Sequence, residues 1–144
     1  MNHTYFLEPL TWVAEGTYYD DSGNTYPLCG EIKIERDAAI WTLQGYLEVQ
    51  FDKPVRFTNN YTITQESPCT LRWESYNPAL GTLRGTFELF GDAIMSHYTS
   101  TDGVYSGAET LLQKNEETYE NTGVSFQNGR RLSAWTATLR AKRS

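Results

Sequence analysis

Cysteine is scarce in this chain of 144 residues. Cys29 and Cys69 are the whole complement, and they stand 40 residues apart. That spacing matches no zinc knuckle and no redox pair, so both are expected as free thiols. Basic residues are also few: 12 Lys and Arg stand against 18 Asp and Glu, a formal net charge of -6. A chain of that sign repels a phosphate backbone, and nucleic-acid binding is not expected. No stretch approaches the ~20 apolar residues of a membrane helix, so no membrane partner is expected. Met1–Leu10 has no basic stretch leading into an apolar one, the mark of an export signal, and a cytoplasmic location follows as the expectation. Phosphate loops, nucleophile elbows and zinc-ligand spacings are lacking as well. No motif therefore names a reaction, and enzyme activity is not the expected role.

What is abundant is aromatic: ten Tyr, six Phe and four Trp. Aromatics with frequent Thr favour strands over helices. The period of the pattern agrees. Trp41, Leu43, Gly45, Leu47, Val49 and Phe51 share one parity, while Thr42, Gln44, Tyr46, Glu48 and Gln50 share the other. A period of two over this length means a strand with one buried face and one wet face. A helix would scatter Trp41, Val49 and Phe51 around its surface.

Ten such segments can be counted, each ended by turn chemistry. They run over 12–20, 26–35, 40–51, 55–65, 70–76, 82–90, 93–100, 104–113, 118–127 and 130–140. Between them stand turn formers such as Asp20–Asn24, Asn77–Gly81 and Gly91-Asp92, and Asn128-Gly129 is the strongest hairpin dipeptide. Short connections make neighbours of consecutive strands. A flat ten-stranded sheet would expose two long edges, and closure removes them. The expected fold is all-β: one closed antiparallel up-and-down barrel spanning residues 1–144, with little or no helix. Residues 1–10 are expected as a loose entry segment. The facing of the strands around 93–127 stays open at this point, because Ile94 and Tyr98 oppose Met95 and His97 in parity.

Ten short-looped strands in this length resemble the calycin barrels: lipocalins, fatty-acid-binding proteins and nitrobindin-like domains. Trp12 and Gly16 in the first strand are similar in content, with the order reversed, to the lipocalin Gly-x-Trp start. Fatty-acid-binding proteins place two helices between strands one and two, where this chain has only a short turn after Asp20. The resemblance therefore leans to the helix-free, nitrobindin-like form. It implies a barrel that holds a small molecule. In nitrobindin-like barrels a histidine near the chain end binds haem iron; this chain has Trp135 there and no histidine.

The residues expected to line an interior pocket follow from parity. Trp41, Phe57, Trp73, Phe87 and Trp135 would supply contact area. Asn59 and Tyr61 place polar groups on the otherwise apolar face of strand four. His97 and Glu109 would add polar or acid–base groups. The expected partner is a small, mainly apolar or aromatic molecule. A fatty acid suits less well, since no arginine is evidently inward except as Arg72 or Arg140 could be. No cofactor or metal is expected, with haem through His97 as the one cofactor option. Two alternatives stand beside this reading. One is a cavity enzyme of isomerase or lyase type with His97 and Glu109 as its acid–base pair. The other is a fully packed interaction module, with outward Tyr46, Tyr76 and Phe90 suited to a homodimer.

Overall fold

The computed structural model describes residues 2–78 and 80–142. It holds ten strands: β1 (Thr11–Tyr19), β2 (Thr25–Asp37), β3 (Ile40–Val49), β4 (Val55–Ser67), β5 (Thr70–Asn77), β6 (Gly81–Phe90), β7 (Ala93–Ser100), β8 (Tyr105–Asn115), β9 (Thr118–Gln127) and β10 (Arg130–Lys142). No helix occurs among the described residues, and so none is long and apolar enough to cross a membrane. Each strand pairs antiparallel with the next. β10 then pairs with β1 from Thr11↔Lys142 to Tyr19↔Ala134, which closes the barrel. The β9–β10 hairpin turns through Asn128 and Gly129, both at positive φ (52° and 80°), as a primed turn requires.

The alternation of side chains is kept all round the wall, but the two sides of the interior differ. β1, β2 and β3 turn Trp12, Ala14, Leu28, Ile32, Ile34, Trp41 and Leu43 inward, a dry aliphatic and aromatic wall. Facing it, β7, β8 and β9 turn Ser96, Tyr98, Glu109, Asn121 and Ser125 inward. Inward glycines on this arc make room for rings: Gly107 stands opposite Tyr98 and Gly123 opposite Trp135. A Cβ at either glycine would collide with the facing ring. Strand glycine here marks close approach, with the ring covering the bare backbone.

The two ends of the barrel are not alike. One end is plugged by the chain before β1. Thr4, Tyr5 and Phe6 are buried, so the opening segment is not the loose lead-in that its lack of periodicity suggested. Phe6 packs on the Phe87 ring at 4.3 Å and on Tyr5 at 4.4 Å. Tyr5 also meets the rings of Trp12 and Tyr119. Polar contacts fasten the plug: the Tyr119 hydroxyl accepts from the Thr4 amide (3.2 Å) and bonds His3 Nδ1 (2.7 Å), while Thr4 Oγ1 donates to the Glu116 carbonyl (2.7 Å). At the other end β4 peels from its neighbour. Val55–Asn60 pair with β3 only, because the β4–β5 ladder begins at Tyr61↔Ser75. That split leaves Phe57, at an inward parity position, 45% exposed.

Candidate functional site

The interior of the split half is not a dry core. Inward-facing Tyr61, Tyr98, Tyr105, Glu109 and Trp135 all keep accessible surface, whereas their counterparts under the plug keep almost none. Glu109 is nonetheless deep enough that burial raises its carboxyl above the usual carboxylate range. Tyr98 is pushed up to about 12, by burial first and by the nearby Glu109 second. Burial also raises the Tyr61 and Tyr5 hydroxyls, and Glu109 adds to both shifts. Groups that are desolvated yet retain accessible surface line a crevice inside the wall.

Hydrogen bonds define the floor of this crevice. Trp135 Nε1 donates to Asn121 Oδ1 (2.8 Å). Asn121 Nδ2 donates to Glu109 Oε2 (3.1 Å) and to the Thr110 carbonyl (3.1 Å). Strand pairing positions all three residues, since Glu109 and Trp135 both stand opposite Gly123 of β9. The chain stops at Glu109. Its Oε1 takes no hydrogen bond, and neither do the hydroxyls of Tyr5, Tyr61 and Tyr98; none of these four atoms is among the fully buried atoms left without a partner. They therefore front open space. Across from them Tyr61 lies flat on Trp73, with centroids 4.3 Å apart and planes 10° apart; Tyr98 meets the same indole at 5.7 Å. Trp73 is held by its Nε1 donating to Ser96 Oγ (3.2 Å).

Of the nine residues expected at a pocket, the structure brings Tyr61, Trp73, Glu109 and Trp135 together around this crevice. Asn59 is half-buried on the split stretch of β4 and makes no side-chain hydrogen bond, and Phe57 is beside it at the rim. Phe87 packs on Phe6 of the plug at 4.3 Å and also stacks on Trp73 at 5.8 Å, behind the Tyr61–Trp73 pair. Trp41 is buried at the same end, with the Arg36 guanidinium 4.8 Å over its ring. His97 is a correction. Its neighbours Ser96 and Tyr98 take the inward parity, so His97 faces outward and is exposed. It cannot share a cavity with Glu109, which removes the acid–base pair proposed for a cavity enzyme. For the same reason a haem held inside would not meet His97. Arg72 and Arg140 are exposed too, and Arg72 bonds Glu66, so neither serves as an inward carboxylate anchor.

Sequence reasoning missed Tyr5 and Tyr98 as site residues, and placed Asn121 only as a possible neighbour of Glu109. The signal for Tyr98 and Asn121 was present in their shared parity with Ser96 and Tyr119. Tyr5 lies outside any periodic segment and carried no signal. Outside the barrel, a concavity of about 880 Å³ crosses β4–β6, lined by Thr62, Arg72, Glu74 and Arg84 among others. It is open, and its arginines are engaged with Glu66 and Glu74.

No family model matches the chain, and no curated protein matches it in sequence. Solved structures do match in fold. The S-type phycobiliprotein lyase CPES from Guillardia theta aligns with a TM-score of 0.72 at 12% identity, over 97% of this chain and 92% of that one. Rv2717c from M. tuberculosis aligns with a TM-score of 0.71 at 14% identity, over 95% of each chain. The fold is a calycin-like barrel. At these identities the likeness concerns architecture, and it reaches no individual site residue.

Proposed function

We propose that this protein binds a small, mainly apolar or aromatic molecule inside the barrel, admitted at the split end between β4 and β5. The observation that carries the proposal is the crevice between the Tyr61–Trp73 stack and the Glu109–Asn121–Trp135 chain, accessible though deep. An apolar pocket with a few convergent polar groups is the usual form of a small-ligand site. The dry wall from β1 to β3 and the stacked rings would supply contact area, while the polar arc would orient the ligand. The fold supports the reading by analogy only. One neighbour of the same fold is a phycobiliprotein lyase.

Two measurements test it. Native mass spectra of protein purified without refolding would show a co-purifying mass. A titration with Nile red, a neutral aromatic dye, should show one saturable site. Tyr61→Ala removes half of the ring stack and should weaken dye binding about tenfold, in line with ~0.5–1.5 kcal/mol for an aromatic pair plus its lost contact area. Tyr76→Ala, on the outer face, should leave it unchanged. No saturable binding, or loss with Tyr76→Ala and not with Tyr61→Ala, refutes the proposal.

A further inference from the structure

Glu109 is the one charged side chain among the described residues that points into the body of the barrel; Arg36 and Arg130, the other charges at inward register positions, lie exposed at the two rims, Arg36 over Trp41 at the plugged end and Arg130 opposite Gln127 at the split end. All four ion pairs of the described residues lie on the outer surface: Lys33–Glu35, Arg56–Glu48, Arg72–Glu66 and Arg84–Glu74. Glu109 thus has no cationic partner. Its only hydrogen bond is the one that Asn121 donates to Oε2. A carboxyl in such a place is costly to ionise unless something neutralises it.

What surrounds the free oxygen is specific. Tyr98 of β7 stands diagonal to Glu109 across the β7–β8 ladder, Trp73 links its ring to that of Tyr61 on β4, and the Glu109 charge reaches the hydroxyls of both and of Tyr5 in the plug. Phenol oxygens accept from N–H donors, and the faces of Tyr61, Trp73 and Tyr98 attract a cation through their quadrupoles. An anionic ligand would find no Arg or Lys and would meet a carboxyl instead. A wholly apolar ligand would leave Oε1 and three hydroxyls without partners, at a cost for each. The chain's net charge of -6 also raises the local concentration of cations.

We infer that the interior site takes an organic cation, a molecule with an apolar or aromatic body and a protonated nitrogen, and that the nitrogen seats against Glu109 Oε1 among the hydroxyls of Tyr5, Tyr61 and Tyr98. The inference rests on the proposed small-molecule site and names the class of molecule it accepts. No bond is made or broken. Glu109 supplies the countercharge, the phenols complete the nitrogen's hydrogen bonds, and the Asn121–Trp135 chain fixes the carboxyl in place.

The experiment compares three indoles of similar size by calorimetry: tryptamine (cationic), 3-methylindole (neutral) and indole-3-acetate (anionic). Tryptamine should bind at least about tenfold more tightly than 3-methylindole, since a desolvated ion pair or cation–π contact is worth roughly 1.4 kcal/mol or more. Indole-3-acetate should bind most weakly. Glu109→Gln keeps the acceptor for Asn121 and removes the charge. It should abolish the preference for tryptamine over 3-methylindole, with the thermal transition recorded to show that the variant is folded. Equal affinities for tryptamine and 3-methylindole overturn the inference and leave the small-molecule reading standing. A tryptamine preference that survives in Glu109→Gln also overturns it. If no indole binds, the inference falls, and the Nile red titration separately decides the broader reading.

Discussion

Phe6→Ala tests the plug, the part of the structure furthest from what its sequence suggests. Phe6 is 1% exposed and packs between Phe87 at 4.3 Å and Tyr5 at 4.4 Å. Truncating a buried phenylalanine to alanine costs about 3–5 kcal/mol, as lost transfer energy plus the cavity left behind. At roughly 2–4 °C per kcal/mol for a chain of this size, the thermal midpoint should drop by about 10 °C or more. The control is the adjacent residue. Leu7 is 38% exposed, and Leu7→Ala should change stability by no more than about 0.5 kcal/mol. A second comparison isolates the backbone. Phe6 has φ of 68°, the left-handed region, where a β-carbon costs ~1–2 kcal/mol and glycine is at ease. Phe6→Gly should therefore be no less stable than Phe6→Ala, the reverse of the usual order in regular structure. Urea unfolding and thermal melts of the three variants, followed by tryptophan emission, give the numbers. If Phe6→Ala and Leu7→Ala behave alike, the segment is not part of the core and the reasoning fails.

Gly123→Ala would force the Trp135 ring from its place and break its bond to Asn121; a loss of about 1–3 kcal/mol is expected, together with a shifted Trp135 indole N–H resonance. Glu109 predicts a pH dependence. Its folded carboxyl titrates above the usual range, so the folded state holds the proton after the unfolded chain has lost it. The stability it contributes is fully present below the ordinary carboxylate range and is lost as pH rises through the raised value. Glu109→Gln should remove that part of the slope in a pH series of denaturation midpoints, and an unchanged slope would disprove the assignment. Arg84→Ala breaks the exposed pair with Glu74 and should cost no more than about 0.5–1 kcal/mol in the same assay.

The strand pattern was legible because a half-buried strand writes its two faces in alternate residues. β3 shows this most plainly, with Trp41, Leu43, Leu47 and Val49 against Gln44 and Glu48. Turn dipeptides set the hairpins, and short connections left closure as the way to remove two edges. Glu109 and Trp135 could be nominated from parity for the same reason. On β7 and β8 the alternation is weak, because the inward set there mixes Ile94 and Leu111 with Ser96, Tyr98, Ser100, Gly107 and Glu109, small or polar residues that composition alone does not mark as interior. Only the ladders through β6 and β9 decide that His97 faces out and Tyr98 in. The plug is a further case. Tyr5 and Phe6 belong to no repeating pattern, so local sequence says nothing of where they pack.

The sequence by itself determined ten strands, their turns and the closed barrel, since these follow from period-two patterning and φ-permissive turn residues that act over a few positions. The tertiary structure alone decided which end is stoppered, where the wall splits and which polar groups meet. Tyr5, Tyr61, Tyr98 and Glu109 come from four separate segments. Their meeting depends on strand register and barrel closure, long-range geometry that no local pattern records.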